Sequence, residues 1–136
     1  MPPEIKHASL VWLSGMQFEG GIPGQSAILI DGDNRSGPGP MVTLLLAAAS
    51  CSGSDVVSIL GKMRVKLHAF RIEAQGTRRE EEPRRYVALH FDYRLQGEGL
   101  DQTRARRAID LSIEKYCSVI HSLAPDIRIT YDLHLT

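Results

Sequence analysis

Cys51 and Cys117 are the only cysteines in this 136-residue chain, and each lies in an apolar segment of helical character. The first follows Leu44-Leu45-Leu46-Ala47-Ala48-Ala49-Ser50 and precedes Ser52-Gly53-Ser54-Asp55. The second sits in Ile113-Glu114-Lys115-Tyr116-Cys117-Ser118-Val119. A thiol in such a setting is either a small core residue or half of a reactive pair. The reactive reading makes three demands. One thiol must ionise, helped by a nearby cation, hydrogen-bond donors or a helix N-terminus. Its thiolate must attack an O–O bond to give a sulfenic acid, and a second thiol must condense with that acid. Condensation needs Cα atoms roughly 4.4 to 6.8 Å apart. The two cysteines are distant in sequence, so their spacing stays open; a packed pair of helices can supply it.

Other chemistries find less support. The glycines at positions 20, 21, 24, 32, 37 and 39 lack phosphate-loop spacing and read as turn glycines. His7, His68, His90, His121 and His134 show no metal-ligand spacing among themselves. His121 follows Cys117 by one helical turn, but a metal needs two further ligands, so no metal site is expected. Ser50, Ser52, Ser54 and Ser58 cluster around Cys51 without a His–acid arrangement after them, and read as helix polarity. No cofactor is expected.

Composition narrows the class. The chain has 16 basic and 16 acidic residues and zero formal net charge, which argues against a nucleic-acid surface or a polybasic membrane anchor. Apolar and charged shares of 43% and 24% are those of a soluble globular protein. The opening Met1-Pro2-Pro3-Glu4 does not resemble an export signal. The apolar stretch from Met41 to Ala49 is too short to span a bilayer. Two cysteines without an export signal suggest a reducing cytoplasm, where a disulfide is transient. Zero charge also leaves nothing to repel a second copy.

The elements that must position the thiols follow from periodicity. The first third alternates strands and turns, with apolar 8–13, Met16-Gln17-Phe18 and 26–30 separated by glycine and proline. Residues 31–40 form a loop with little expected regular structure. From Met41 to about Gly61 the pattern is apolar nearly all round, a buried helix, with Ser52-Gly53-Ser54 marking a bend or close approach. Phe70 to Ala74 alternates, as do Val87, Leu89, Phe91, Tyr93 and Leu95, which predicts two half-buried strands. The mixed-charge segment 78–85 between them reads as a solvated hairpin tip. Ala105, Ala108, Ile109, Ile113, Tyr116, Cys117 and Ile120 form one stripe of an amphipathic helix running to about Leu123, where Pro125 stops it. Ile127, Ile129, Tyr131, Leu133 and Leu135 alternate in a final strand. The order predicts a single α+β domain over residues 1–136. An apolar helix needs cover on every side, and a second subunit is the economical source.

At this point a family pattern is legible. Leu44 to Leu60 with Cys51 after an alanine run, and Ala108 to Val119 with Cys117, resemble the OsmC/Ohr family of osmotically induced and organic-hydroperoxide-resistance proteins. Val11-Trp12 to Phe18, Gly20-Gly21 and Ile30-Asp31 look like that family's opening strands. Asp55 to Leu60, Arg78-Arg79-Glu80-Glu81 and Glu114 to Val119 look like its YhfA-type branch.

The resemblance implies an intertwined α+β homodimer. Antiparallel sheets would pack around two long helices per subunit, with the first, Cys-bearing helix central and back to back with its mate. It also implies a thiol-dependent peroxidase that reduces organic hydroperoxides. Cys51 falls at the peroxidatic position and Cys117 at the resolving one, closing a Cys51–Cys117 disulfide. A dithiol, such as a lipoylated protein, would restore the thiols. The family's activating glutamate, about ten residues before the first cysteine, has no counterpart, because no acid occurs between Ser36 and Ser50. Arg35 is the basic residue of that loop and the candidate to stabilise the thiolate. A proline often follows the second cysteine; here the residue is Ser118. A charge-assisted hydrogen bond is worth about 1.5 to 3 kcal/mol, or roughly 10- to 100-fold in rate. The alternative is therefore a catalytically weak, redox-responsive or small-hydrophobic-ligand-binding dimer of the same fold. A third reading leaves both thiols as core packing, with the function elsewhere.

Overall fold

The computed structural model describes residues 2–136, and the chain forms two compact units that divide between Leu44 and Leu45. In the first unit, β1 (Ser9–Ser14), β2 (Gln17–Gly21) and β3 (Ile28–Asp31) form an antiparallel meander in that order. The β1–β2 turn uses Gly15 at φ +53°, and the Trp12 indole N–H donates to the Gly15 carbonyl at 2.9 Å. Every residue of β1 is exposed, including Trp12 at 63%.

The loop after β3 is better ordered than its glycine and proline content predicts. The Asp31 carboxylate accepts from the backbone amides of Asp33 at 2.9 Å, Arg35 at 3.3 Å and Ser36 at 3.0 Å. These donors, the Ser36 amide foremost, hold the Asp31 carboxyl below the usual carboxylate range. Asn34, in the left-handed region at φ 56°, accepts from the Gly39 amide at 2.8 Å. Side-chain acceptors thus replace the missing secondary structure. The loop leads into α1 (Pro40–Lys62), which opens on proline, a residue suited to the first helical position.

In the second unit, β4 (Lys66–Arg78) and β5 (Tyr86–Glu98) form a long antiparallel hairpin, and β6 (Arg128–Leu135) lies on the other side of β5. The β5–β6 pairing is parallel, so the expectation of wholly antiparallel sheets is corrected. The helical segment after β5 carries the chain back to the start of that strand, and a crossover of this kind makes parallel neighbours. Leu89, Phe91, Tyr93 and Leu95 are buried at every second position of β5, as the alternation predicts.

The buried positions of α1 are Ala48, Ala49, Ser52, Gly53, Val56 and Leu60, a stripe of small residues at helical spacing. The helix runs without interruption through Ser52-Gly53-Ser54. Gly53 marks a close approach rather than a bend: a Cβ there would meet Ile72 Cδ1 on β4 at 3.3 Å. The flank beside Gly53 is bare, with Leu46 at 54% and Val57 at 50% exposure. At 23 residues α1 is long and apolar enough to cross a membrane by length and composition, which the shorter stretch read from sequence is not. Its buried serine and its close contact with β4 are the marks of a core helix.

The second predicted helix is broken. α2 (Gln102–Leu111) starts at Asp101, whose side chain accepts from the Arg104 amide at 2.8 Å. A π-helical turn follows over Ser112–Tyr116, Cys117 takes an extended conformation (φ −70°, ψ 101°), and a short helix α3 covers Ser118–His121. The expected continuous stripe to Leu123 fails here for a geometric reason. A π-turn inserts one extra residue per turn, which rotates Tyr116 outward to 49% exposure and Cys117 fully inward.

Candidate thiol site

Cys51 is delivered by the middle of α1 and is half-buried; Cys117 is delivered by the break after the π-turn and is completely buried. Both are free thiols. The Cys117 amide donates to the Ser112 carbonyl at 2.7 Å, closing the π-turn, and the Cys117 carbonyl accepts from the His121 amide at 3.0 Å. Its thiol points toward the Ala48 carbonyl of α1, with Sγ 3.9 Å from that oxygen.

The two thiols are neighbours. Burial pushes the Cys117 thiol up to about 11, and the neighbouring Cys51 thiol and the Asp55 carboxylate push the same way. The Ile120 amide opposes them. Cys117 is therefore kept as the neutral thiol at physiological pH. The structure brings Cys117, in the break after the π-turn, beside Cys51 on α1, across nearly half the chain.

Beside the thiols runs a buried polar chain. The Ser52 and Tyr93 hydroxyls are 2.6 Å apart, the Ser112 hydroxyl is 2.9 Å from Ser52 Oγ, and it is also 2.9 Å from Asp55 Oδ2. Ser52, Ser112 and Tyr93 have no exposed surface. Burial raises the Tyr93 hydroxyl to about 12, with the Ser52 hydrogen bond working against it. Sequence reasoning missed this chain. The available signal was a set of polar residues, Ser52, Asp55 and Ser112, recurring within otherwise apolar helix faces. Ser50 and Ser54 do behave as helix polarity, since their hydroxyls donate back to the Ala47 and Ser50 carbonyls at 3.1 and 2.8 Å.

His121 Nε2 lies 3.1 Å from the Ile113 carbonyl oxygen, so its ring is engaged with backbone. Among the described residues, no group of three or more His, Cys, Asp or Glu side chains is arranged to hold a metal. Arg35 lies in the first unit, exposed, on the loop organised by Asp31. Two cavities flank α1 in the second unit. An open apolar groove of about 650 Å³ is lined by Leu46, Ala49, Gly53, Val57, Phe70 and Ile72. A second, of about 510 Å³, is lined by Asp55, Lys62, Arg107, Leu111 and Tyr116 among others.

This fold recurs in known proteins. Residues 32–132 match the family described as OsmC-like protein. Protein YhfA of Escherichia coli is 38% identical over 125 residues, which is 91% of this chain and 93% of that one. A hypothetical protein from Aquifex aeolicus is 30% identical, with a TM-score of 0.85 over 98% of this chain and 99% of its own. The organic hydroperoxide resistance protein OhrB of Bacillus subtilis shares the fold at 14% identity, with a TM-score of 0.61 over 96% and 98% of the two chains. The chain belongs to the OsmC family, and the solved structures that share its fold include organic hydroperoxide resistance proteins.

Proposed function

We propose that this protein is a thiol-dependent peroxidase for organic hydroperoxides, with Cys51 as the attacking thiol and Cys117 as the resolving one. The observation that carries this reading is that a half-buried and a fully buried thiol are neighbours. The more accessible Cys51 meets the peroxide. Its thiolate attacks the distal oxygen, the O–O bond breaks, and the alkoxide leaves as the alcohol after taking a proton. Cys51 becomes a sulfenic acid. The Cys117 sulfur then attacks the Cys51 sulfur, the S–O bond breaks, and the thiol proton leaves with the hydroxyl as water. A dithiol reductant of the lipoyl type reopens the disulfide.

The working form is a homodimer in the cytoplasm, and the two units act as one domain. The match to the family over residues 32–132 spans both. Support for the dimer comes from uncovered apolar surface: Leu46 and Val57 on α1, and Leu10, Val11 and Trp12 on β1. Soluble monomers seldom leave so much of this surface bare.

One observation favours a weaker variant of the same activity. The activating glutamate that the family resemblance implies has no counterpart, because no acid occurs between Ser36 and Ser50. A redox-responsive dimer that turns over slowly, or that holds a small hydrophobic ligand in the apolar groove, follows from that. Steady-state consumption of cumene hydroperoxide with a lipoyl dithiol as reductant separates the two. Saturable turnover abolished by Cys51→Ser supports the peroxidase; a wild type no faster than Cys51→Ser contradicts it.

A further inference from the structure

Ser112 holds both halves of the thiol site with a single residue. Its carbonyl accepts the Cys117 amide at 2.7 Å. Its hydroxyl reaches Ser52, the residue after Cys51, at 2.9 Å, and Asp55, one helical turn beyond Cys51, at 2.9 Å. The Ser52 carbonyl oxygen also lies 3.5 Å from the same hydroxyl. All of this occurs without solvent, because Ser112 and Ser52 are fully buried.

The proton count orders these contacts. A serine hydroxyl has one proton and two acceptor positions. The Ser112 hydroxyl is the donor toward both Ser52 Oγ and Asp55 Oδ2, so its one proton is shared between them. The Ser52 and Tyr93 hydroxyls make the next bond, at 2.6 Å. The chain Tyr93, Ser52, Ser112, Asp55 ends on a carboxylate, which accepts the stronger kind of hydrogen bond. Its effect is to fasten the π-turn to the segment of α1 that carries Cys51. Without that fastening, the π-turn would lose its hydroxyl-mediated hydrogen bonds to α1.

We infer that Ser112 is a positioning residue for closure of the Cys51–Cys117 disulfide, with Asp55 as the anchor of its hydroxyl. The inference concerns the site of the reading above, but the juxtaposition it describes exists whether or not peroxide is the oxidant. Closure competes with a second oxidation. The sulfenic acid of Cys51 either condenses with the Cys117 thiol, giving the disulfide and water, or meets a second hydroperoxide, giving a sulfinic acid and an alcohol. Displacement of reacting atoms by about 1 Å can cost about 100-fold in rate. A loosened π-turn therefore shifts the competition toward the sulfinic acid.

The test uses the full-length protein as wild type, Ser112→Ala, Ser112→Thr and Asp55→Asn, each checked for native circular dichroism. Equilibration in glutathione buffers gives the effective concentration of the thiol pair and needs no peroxide. Ser112→Ala is expected to lower it about tenfold or more, Asp55→Asn by less, and Ser112→Thr, which keeps the hydroxyl, to stay within about threefold of wild type. Cumene hydroperoxide titration read by mass should show the sulfinic form of Ser112→Ala at correspondingly lower peroxide. An effective concentration equal to wild type in Ser112→Ala overturns the inference; if that variant does not fold, an unchanged value in Asp55→Asn does so. A fall in effective concentration with no peroxide reaction even in wild type keeps Ser112's role and removes the peroxidase reading instead.

Discussion

The Tyr93 hydroxyl lies 2.6 Å from the Ser52 hydroxyl, in a part of the core with no exposed surface, one residue past Cys51. The two ends of this bond have unequal value. Tyr93→Phe removes one hydroxyl and leaves Ser52 with Ser112, at a cost near 1 kcal/mol. Ser52→Ala strands the buried Tyr93 hydroxyl and removes a partner of Ser112, at a cost of about 1–3 kcal/mol. Urea midpoints should fall in the order wild type, Tyr93→Phe, Ser52→Ala; equal midpoints for the two variants would contradict the buried chain.

Alkaline stability reports on Cys117. Its folded value of about 11 stands above the ordinary 9.0, so between those values the unfolded chain releases a proton that the folded chain keeps. The associated stability is full below pH 9 and is lost as pH rises toward 11, by about 2–3 kcal/mol over the interval. Tyr93, raised from 10.0 to about 12, acts in the same direction at higher pH. Cys117→Ala should flatten the decline between pH 9 and 11. A slope unchanged by that substitution would mean the thiol is not held neutral by burial.

Two glycines make opposite predictions for the same substitution. A Cβ at Gly53 meets the flexible end of Ile72 at 3.3 Å, whereas one at Gly76 falls 2.3 Å from the ring of buried Tyr86. Gly53→Ala gains up to about 1 kcal/mol of helix propensity against a small squeeze and should stay within about 1 kcal/mol of wild type. Gly76→Ala overpacks an immobile ring and should cost about 1–3 kcal/mol. Thermal melts of the two variants decide it, and an equal loss in both would contradict the room predicted beside Gly53.

The proposed dimer is tested on the bare flank of α1. Leu46→Glu and Val57→Glu place charge where an apolar partner is required, and burial of an unpaired charge is costly. Light scattering should give a dimer mass for wild type and a monomer mass for the double variant. A monomeric wild type would remove the second subunit from the account.

Legibility of the fold tracked periodicity. The β5 alternation and the α1 apolar run depend on local pattern, and both stand where the sequence placed them. Cys117 was the difficult case. Ile113, Tyr116 and Cys117 share a stripe only at regular helical spacing, and the π-turn, held by Ser112 to α1, changes that spacing. Its cause is a contact between residues distant in sequence, which no local window contains. The parallel entry of β6 is hidden for the same reason, since alternation fixes faces but not direction. At the site, the thiols were visible as residue types; the Tyr93–Ser52–Ser112–Asp55 chain was not, because serine and aspartate on a helix usually mean solvent.

The central claim is that Cys51 and Cys117 form a working pair. Intact mass of the reduced protein after one equivalent of cumene hydroperoxide, with free thiols then alkylated, tests it most directly. The account predicts loss of two hydrogens, no alkylation, and a peptide linking Cys51 to Cys117. Two alkylated cysteines at the unmodified mass would contradict it.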